Sequence, residues 1–262
     1  DMDQRSSWQI QKAVFHALFV REIQTRFGRF RLGFIWALIE PLSHIIVLSA
    51  LFSTIRERNA FFDVPFPVFF ATGVLSFFLF QKTVMSSLAS IRVNEGLFGY
   101  RQVKPIDAVF VRAVLEIMVN LSCMLLLGIA GFWIFDYQLV PVRPLGLVSV
   151  IAVLCLFGLA VGLMVSVLSA LSEELGKFVP TIMRPLYFLS GIFYPLDAIP
   201  QQYHVYLLWN PLLHGVEQFR AAFISGYPAE NTSLYYVFFC AILSMFLGLL
   251  IYFINSERVL TK

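Results

Sequence analysis

Charged residues are scarce in this chain of 262 residues. Asp, Glu, Lys and Arg make up 13% of it, whereas a soluble domain carries about 25%. Hydrophobic residues make up 59%, and the 28 phenylalanines leave too few polar side chains to cover a soluble surface. The formal net charge of +3 is too small to indicate nucleic-acid binding. This composition predicts a polytopic membrane protein and excludes a water-soluble domain.

Cysteine and the common catalytic motifs are equally sparse. Cys123, Cys155 and Cys240 lie in separate apolar runs, which is typical of packing residues rather than of a disulfide or a metal site. The phosphate-binding pattern GxxxxGK[ST] is missing, as are HExxH, CxxC and GxSxG. We therefore expect no ATP site, metal site or catalytic residue in this chain. A membrane enzyme with an unusual site remains an alternative.

Six apolar stretches approach or exceed the roughly 20 residues that a helix needs to cross the hydrocarbon of a bilayer. They are residues 34–55, 66–91, 106–135, 145–171, 178–197 and 232–254. Because lipid offers the backbone no hydrogen-bond partner, each span is expected to be a helix. The sequence contains no internal repeat, so it predicts one all-α transmembrane domain over residues 1–262.

Positive charge is divided unevenly between the two sides that these spans define. If the N-terminus is inside, twelve Lys and Arg residues are cytoplasmic: Arg5, Lys12, Arg21, Arg26, Arg29, Arg31, Arg92, Arg101, Lys104, Lys177, Arg258 and Lys262. Four lie outside: Arg56, Arg58, Arg143 and Arg220. Since Lys and Arg resist translocation, both termini are expected to face the cytoplasm.

Residues 8–27, before the first span, carry apolar side chains at spacings of four. The two rows are Ile10, Val14 and Leu18, and Phe15, Phe19, Ile23 and Phe27. Such a stripe predicts an amphipathic helix lying in the membrane interface. The alternative is a helix packed on a protein core.

The region 198–231 contains apolar pieces that are too short to cross a membrane, because Pro200, Pro211 and Gly215 interrupt them. We interpret residues 198–227 as a re-entrant helix pair on the outer side, buried in protein where it enters the membrane. A long outer loop with one amphipathic helix is the alternative.

Ionisable residues inside the spans are costly and often functional. Lys82 and Arg184 lie in the second and fifth spans, where both could line a path for an anionic substrate. A salt bridge or snorkelling is the alternative for Lys82, and a position near the headgroups for Arg184. Glu40 is expected to neutralise an arginine, and Arg112 and Glu116, four residues apart, to pair with each other.

The loop 92–106 is short, polar and expected in the cytoplasm. Asn94 and Glu95 are expected to cap a short helix over residues 94–100. Its exposed apolar side chains would be Leu97, Phe98 and Tyr100. Exposed apolar side chains on a polar loop indicate either docking into a partner's groove or contact with lipid headgroups.

Four segments, in order, carry a resemblance to a known family. They are RFRLGFIWALIEPL (29–42), NEGLFGYRQVKPID (94–107), SGIFYPLDAIP (190–200) and WNPLLHGVEQFR (209–220). Together they resemble the membrane subunits of type-2 ABC exporters, in particular the capsular polysaccharide export permeases (the KpsM, BexB and CtrC group). The likeness covers nearly the whole chain.

The resemblance implies a homodimer of this chain with two copies of a separate ATPase, which would bind ATP and Mg²⁺. It implies that 8–27 is an interface helix, that 94–100 is the coupling helix, and that 198–227 gates the exit. The implied ATPase-coupling residues are Asn94, Glu95, Leu97, Phe98, Tyr100, Glu173 and Glu174. The implied exit-gate residues are Tyr194, His214, Glu217 and Arg220.

The implied substrate is a lipid-linked acidic capsular polysaccharide, carried from the cytoplasm across a bacterial inner membrane. Basic residues would line its path: Lys82, Arg184, Arg29 and Arg31. A periplasmic adaptor and an outer-membrane export protein are implied further partners. The phenylalanines of the second span offer sugar-stacking faces, with ordinary packing as the alternative. Another lipid-linked glycan (O-antigen or teichoic acid) and an ion-coupled secondary transporter remain rival functions.

Overall fold

The computed structural model describes residues 6–28, 33–55, 64–100, 102–135 and 141–256. The elements in these ranges are helices. The α-helices are α1 (Ser7–Phe27), α2 (Gly33–Ile55), α3 (Phe66–Ser87), α4 (Ser90–Val93), α5 (Pro105–Phe135), α6 (Pro144–Leu171), α7 (Glu173–Leu189), α8 (His204–Leu207), α9 (Pro211–Phe223) and α10 (Leu234–Ile254). Single 3₁₀ turns occupy Glu95–Leu97, Leu196–Ala198 and Gln201–Tyr203. The prediction of an all-α chain is confirmed for the described residues.

Local chemistry explains several helix starts. Pro105, Pro144 and Pro211 each stand at the first position of a helix, where a missing N–H costs nothing and a fixed φ favours the helix. Ahead of α1, the Ser6 side chain accepts from the Gln9 N–H while the Gln9 side chain accepts from the Ser6 N–H. This reciprocal pair is a capping box.

Five helices among the described residues are long and apolar enough to cross a membrane: α2, α3, α5, α6 and α10. They occupy the residues of five predicted spans. The remaining predicted span, 178–197, coincides only partly with α7, which starts at Glu173 and ends at Leu189. With 17 residues, α7 is roughly 25 Å long, less than the roughly 30 Å of bilayer hydrocarbon. The count of six spans therefore stays a prediction.

Helix α3 lies at the centre of the bundle and packs against α2, α5, α6 and α9. Its phenylalanines at positions 69, 70, 77, 78 and 80 are all buried. Burial favours packing as the role of this aromatic run, although Phe78 also lines an open cleft beside α2. Helix α6 packs mainly against α3 and α10. By contrast, only 17% of the apolar stretch Ile35–Phe52 of α2 is buried, so one face of the bundle stays open beside it.

Two predicted segments fold differently from expectation. Helix α3 ends at Ser87 rather than at residue 91, and the chain forms the single turn α4 before the 3₁₀ turn Glu95–Leu97. The coupling helix predicted over 94–100 is therefore two consecutive turns over 90–97. The segment predicted as a re-entrant pair consists of two 3₁₀ turns, the one-turn α8 and the 13-residue α9. Its depth in a membrane stays a prediction.

Candidate functional site

The coupling segment, defined here as residues 90–100, is held by hydrogen bonds to its neighbours. The Ser90 and Ser166 hydroxyl oxygens lie 2.9 Å apart and connect the segment to α6. The Asn94 amide donates to the Ser90 carbonyl oxygen at 2.7 Å. Its own oxygen accepts from Arg21 Nη1 of α1, also at 2.7 Å. Asn94 is thus a buried link between α1 and the coupling segment, not the helix cap that the sequence suggested.

The expectation that Phe98 is an exposed anchor is wrong. Phe98 is 9% exposed and packs with Ile91, Val109 and Val167. Because the segment folds as two short turns, the aromatic ring is directed into the gap between α5 and α6. Leu97 is half-buried against α1. The exposed apolar side chains are Val93, at 58%, and Tyr100, at 67%.

The two acidic residues at the start of α7 lie next to the coupling segment. Glu173 Oε1 is 2.7 Å from Arg92 Nη2, and Glu174 is exposed beside it. Acidic side chains in a first helical turn are favoured by the partial positive charge of that end. Glu95 and Tyr100 are exposed as well, so acidic and aromatic side chains are accessible to a partner at this end of the bundle.

Helix α1 is fastened to α5 by side chains that are far apart in the sequence. Glu22 Oε1 lies 2.8 Å from Arg112 Nε, and Arg26 pairs with Glu116. The expected local pair between Arg112 and Glu116 is therefore wrong, because each residue has its ion partner on α1. These pairs between α1 and α5 could not be predicted, because charge spacing within one helix says nothing about a helix packed beside it.

The apolar stripe of α1 also packs on protein. Val14 and Leu18 are buried against Val111 of α5. Near the other end of α1, Gln11 donates to Asp107 Oδ1 at 2.7 Å. The stripe thus fits the alternative of a helix packed on a core, while the interfacial position of α1 stays a prediction.

Among the predicted path residues, Lys82 pairs with Glu40 of α2. This agrees with the salt-bridge interpretation of Lys82, and Glu40 neutralises a lysine rather than the expected arginine. Arg184 is exposed on α7. Arg29 and Arg31, the other two predicted path residues, lie outside the described residues.

The four predicted exit-gate residues lie in or beside a buried polar network. Arg220 is 0% exposed, and its guanidinium donates to the carbonyl oxygens of Gly191 and Ile192 at 2.6 and 2.7 Å. It also lies 3.2 Å from Glu217 Oε1 and stacks 3.7 Å above the Phe69 ring centroid. Gly191 adopts a φ of +72°, a left-handed value that glycine tolerates. The turn after α7 is thereby fixed to α9.

Tyr227 extends this network, whereas His214 and Tyr194 make separate hydrogen bonds to neighbouring backbone groups. The Tyr227 hydroxyl lies 2.9 and 3.0 Å from the two carboxylate oxygens of Glu217. His214 Nδ1 accepts from the Ser233 N–H at 3.0 Å, so Nε2 carries the proton and donates to the Leu208 carbonyl oxygen at 2.8 Å. Burial lowers the pKa of His214, in keeping with this neutral form. The Tyr194 hydroxyl donates to the Phe188 carbonyl oxygen at 3.0 Å.

Gly73 offers a direct test of this network, because an added Cβ there would collide with Arg220 Nη2 and lie 3.1 Å from the Ile192 carbonyl oxygen. Gly73→Ala is expected to lower the free energy of unfolding by about 1–3 kcal/mol, the usual cost of overpacking. Gly128→Ala, on α5, is the matched control, since its Cβ would meet nothing within 4 Å. Denaturing-detergent titrations of both variants measure the difference, and equal stabilities would contradict the described packing.

Comparison with known proteins places this arrangement in a family. Residues 13–224, from α1 through α9, match the family described as ABC-2 type transporter. The chain belongs to this family. Members are permeases, the membrane components of transporters, which agrees with the five long apolar helices described above.

Individual relatives match over almost the whole chain. The polysialic acid transport protein KpsM of Escherichia coli is 40% identical over 258 residues, covering 98% of this chain and 99% of KpsM. The capsule polysaccharide export inner-membrane protein CtrC of Neisseria meningitidis serogroup A is 30% identical over 244 residues, covering 92% and 90%. The corresponding protein BexB of Haemophilus influenzae is 27% identical over 245 residues, covering 94% and 92%. The resemblance stated from the sequence is thereby confirmed.

Proposed function

We propose that this chain is the membrane subunit of an ATP-driven exporter that moves lipid-linked capsular polysaccharide from the cytoplasm to the periplasm. The observation that carries the proposal is the 40% identity to KpsM over 98% of the chain. Family membership favours this function over the ion-coupled secondary transporter. Export of O-antigen or teichoic acid is the alternative that keeps the same fold.

In the proposed assembly, two copies of the chain lie in the inner membrane with both termini in the cytoplasm. Each binds one ATPase subunit, which holds ATP and Mg²⁺, so this chain needs no cofactor of its own. A periplasmic adaptor and an outer-membrane export protein would continue the route. The open face beside α2, where Trp36 is 71% exposed and Ile46 61%, offers an apolar surface for the second copy and for the path between them.

In the proposed mechanism, closure of the ATPase is transmitted to the membrane helices through the contacts around residues 90–100. A groove of the ATPase would receive Val93 and Tyr100, with Glu95 and Glu174 at its rim. Movement of this segment would be transmitted to α1 by the Arg21–Asn94 bond, to α6 by the Ser90–Ser166 bond and to α7 by the Arg92–Glu173 pair. Buried Phe98 would keep the segment rigid, because interiors packed at crystal-like density transmit displacement.

The proposed path runs beside α2, α3 and α7, where Lys82 and Arg184, together with Arg29 and Arg31, would attract an acidic glycan. At the outer end, residues 198–227 would form the gate. The network of Arg220 and Glu217 would make this gate move as one body with the turn after α7. His214 and Tyr194 would hold neighbouring backbone segments in place through their hydrogen bonds.

The function is tested by producing the chain in Escherichia coli that lacks KpsM and measuring polysialic acid on the cell surface. The unchanged chain is expected to restore surface polysialic acid and to copurify with an ATP-hydrolysing subunit. Val93→Glu combined with Tyr100→Glu is expected to abolish both by placing charges in the ATPase groove. At least a tenfold loss is expected if each apolar contact contributes about 1 kcal/mol or more to docking.

Tyr206→Glu is the matched control, because Tyr206 is 78% exposed on α8, far along the chain from the coupling segment. ATPase copurification should be unchanged in this variant. An ATPase that binds the Val93 and Tyr100 variant normally would contradict the coupling surface. Restoration of O-antigen transport, with no polysialic acid at the surface, would favour the alternative cargo.

A further inference from the structure

A cleft along α2, next to α3, has a composition that packing does not explain. It encloses about 420 Å³ and is lined by Glu40, Ser43, His44, Val47, Leu48 and Phe78. Lys82 reaches it from α3, where its ammonium group pairs with Glu40 and lies 5.3 Å from the Phe78 ring centroid. A charged pair, two further polar side chains and an aromatic ring thus share one opening between helices that are otherwise apolar.

The ion pair lies at membrane depth but is not enclosed by protein. Glu40 is seven residues from the start of α2 at Gly33, which places it roughly 10 Å along the helix. Lys82 is five residues before the end of α3 at Ser87. The Glu40 side chain is nevertheless 69% exposed, and that of Lys82 26% exposed. Because a charge facing lipid is costly, an exposed carboxylate at this depth indicates a polar neighbour or a water-filled route.

The hydrogen bonds of the cleft leave Lys82 available for exchange. An ammonium group has three donors, and within the described part of the chain Lys82 donates to Glu40 alone. Glu40 belongs to a different helix, so the pair depends on a contact between α2 and α3 and can open without unfolding either helix. An incoming anion could therefore replace the Glu40 carboxylate one for one.

Aromatic side chains form the wall beside this cation. The His44 ring lies 5.5 Å from Phe78 and 5.7 Å from Tyr187, measured between centroids. His44 Nε2 and the Tyr187 hydroxyl are 2.8 Å apart, which fixes both side chains. Aromatic faces beside a cation suit a ligand with one apolar face and one acidic group, which describes an acidic sugar.

We infer that this cleft binds the acidic group of a saccharide and that Glu40 holds Lys82 until the ligand's anion replaces it. The inference rests on the proposed function and adds a recognition site to it. The chemistry recognised is a carboxylate or phosphate oxygen carried on a sugar ring. Glu40 acts as a resident competitor that keeps binding weak, and a carrier needs weak binding because it must release what it binds.

The test uses Trp36, which lies one turn before Glu40 on α2 and is 71% exposed. With Trp8, Trp133 and Trp209 replaced by phenylalanine, Trp36 is the remaining tryptophan of the purified full chain, and its fluorescence reports ligands that bind near this part of α2. The probes are an oligomer of sialic acid, a neutral maltodextrin of equal length, and vesicles with or without phosphatidylglycerol. Thermal unfolding of each variant confirms that it is folded.

The sialic acid oligomer is expected to change Trp36 fluorescence saturably, and the maltodextrin is not. Glu40→Gln should tighten binding of the oligomer by about two- to fivefold, the effect of removing one competing exposed ion pair. Lys82→Gln should abolish binding, and Lys82→Arg, which keeps the charge, should retain it. A double variant of Glu40→Gln and Lys82→Gln should behave like Lys82→Gln.

If the unchanged chain and Glu40→Gln bind the sialic acid oligomer with equal affinity, Glu40 does not compete with the ligand for Lys82. If binding survives Lys82→Gln, the ligand does not bind at Lys82. Phosphatidylglycerol vesicles that displace the oligomer completely would show a site for a lipid phosphate rather than for a saccharide. The titration needs neither an ATPase nor export. A failed titration in a chain that restores surface polysialic acid would therefore reject only the cleft, while saturable binding without any restored export would reject only the exporter function.

Discussion

Replacing Arg220 with glutamine is expected to lower the free energy of unfolding by about 3–5 kcal/mol, the cost of breaking a buried ion pair by removing one partner. Arg220 is 0% exposed and Glu217 1% exposed. The guanidinium satisfies two carbonyl oxygens and one carboxylate oxygen at once. Glutamine cannot reach all three acceptors, so a carboxylate would remain buried without its cation, beside the Tyr227 hydroxyl and the Leu196 backbone N–H.

The chain carries its own reporter for this measurement. Cys123 and Cys155 are buried, so a fluorogenic thiol reagent that reacts with them on heating records unfolding. Arg143→Gln is the matched control, because the Arg143 side chain is exposed next to the start of α6. Arg220→Lys should recover little of the lost stability, since one ammonium group cannot reproduce the forked geometry of the guanidinium.

Unchanged unfolding of Arg220→Gln would show that the turn after α7 does not depend on this network. The same experiment bears on the proposed gate. If residues 198–227 move as one body with the turn after α7, then Arg220→Gln should also expose Tyr227 to solvent, which quenching of tyrosine fluorescence can measure. If Arg220→Gln loses stability while Tyr227 stays shielded from solvent, the network stabilises the fold but takes no part in gating.

The sequence was sufficient for the fold class and for the positions of most long helices, because both follow from length and apolar composition. Helices α5, α6 and α10 contain long runs with scarcely any charge, so their location depends on no tertiary contact. The same reasoning failed for α7. Its two prolines and its charged first turn made the apolar part appear to start later than the helix does. The helix also ends earlier, because residues 190–195 are mostly apolar without being helical.

The contacts of individual side chains were beyond the sequence for a different reason. Phe98 was expected at the surface because its neighbours are polar, but burial of one ring depends on how two short turns direct it between α5 and α6. The partner of Lys82 lies 42 positions away in the sequence. Charge spacing can propose partners within one helix, whereas these pairs are set by which helices become neighbours.

Replacing Arg26 with glutamine is expected to destabilise the protein more than replacing its partner Glu116 with glutamine. The two side chains differ in exposure, at 33% for Arg26 and 4% for Glu116. Loss of Arg26 leaves a carboxylate buried without its cation, which should cost about 3 kcal/mol, the lower end for a broken buried pair. Loss of the carboxylate leaves an arginine that reaches solvent, so that change should cost about 1 kcal/mol.

A double-mutant cycle separates the pair from its surroundings. The variant carrying both changes should be about as stable as Glu116→Gln alone, because no charge is then left buried, and this gives a coupling of about 3 kcal/mol. The second pair, between Glu22 and Arg112, lies on the same two helices and should keep α1 docked throughout, so that unfolding remains a single transition. Lys12→Gln, an exposed change on α1, is the control and should have no effect.

The relative stability of Arg26→Gln and Glu116→Gln, measured together with export, shows what α1 contributes to transport. If Arg26→Gln is the more damaging change and also reduces export while ATPase binding is kept, α1 carries movement from the coupling segment into α5 through its charged side chains. If both variants are equally stable and export normally, the Arg26–Glu116 pair contributes nothing to docking. The Arg21–Asn94 and Gln11–Asp107 bonds and the Glu22–Arg112 pair would then be the polar links through which α1 could take part.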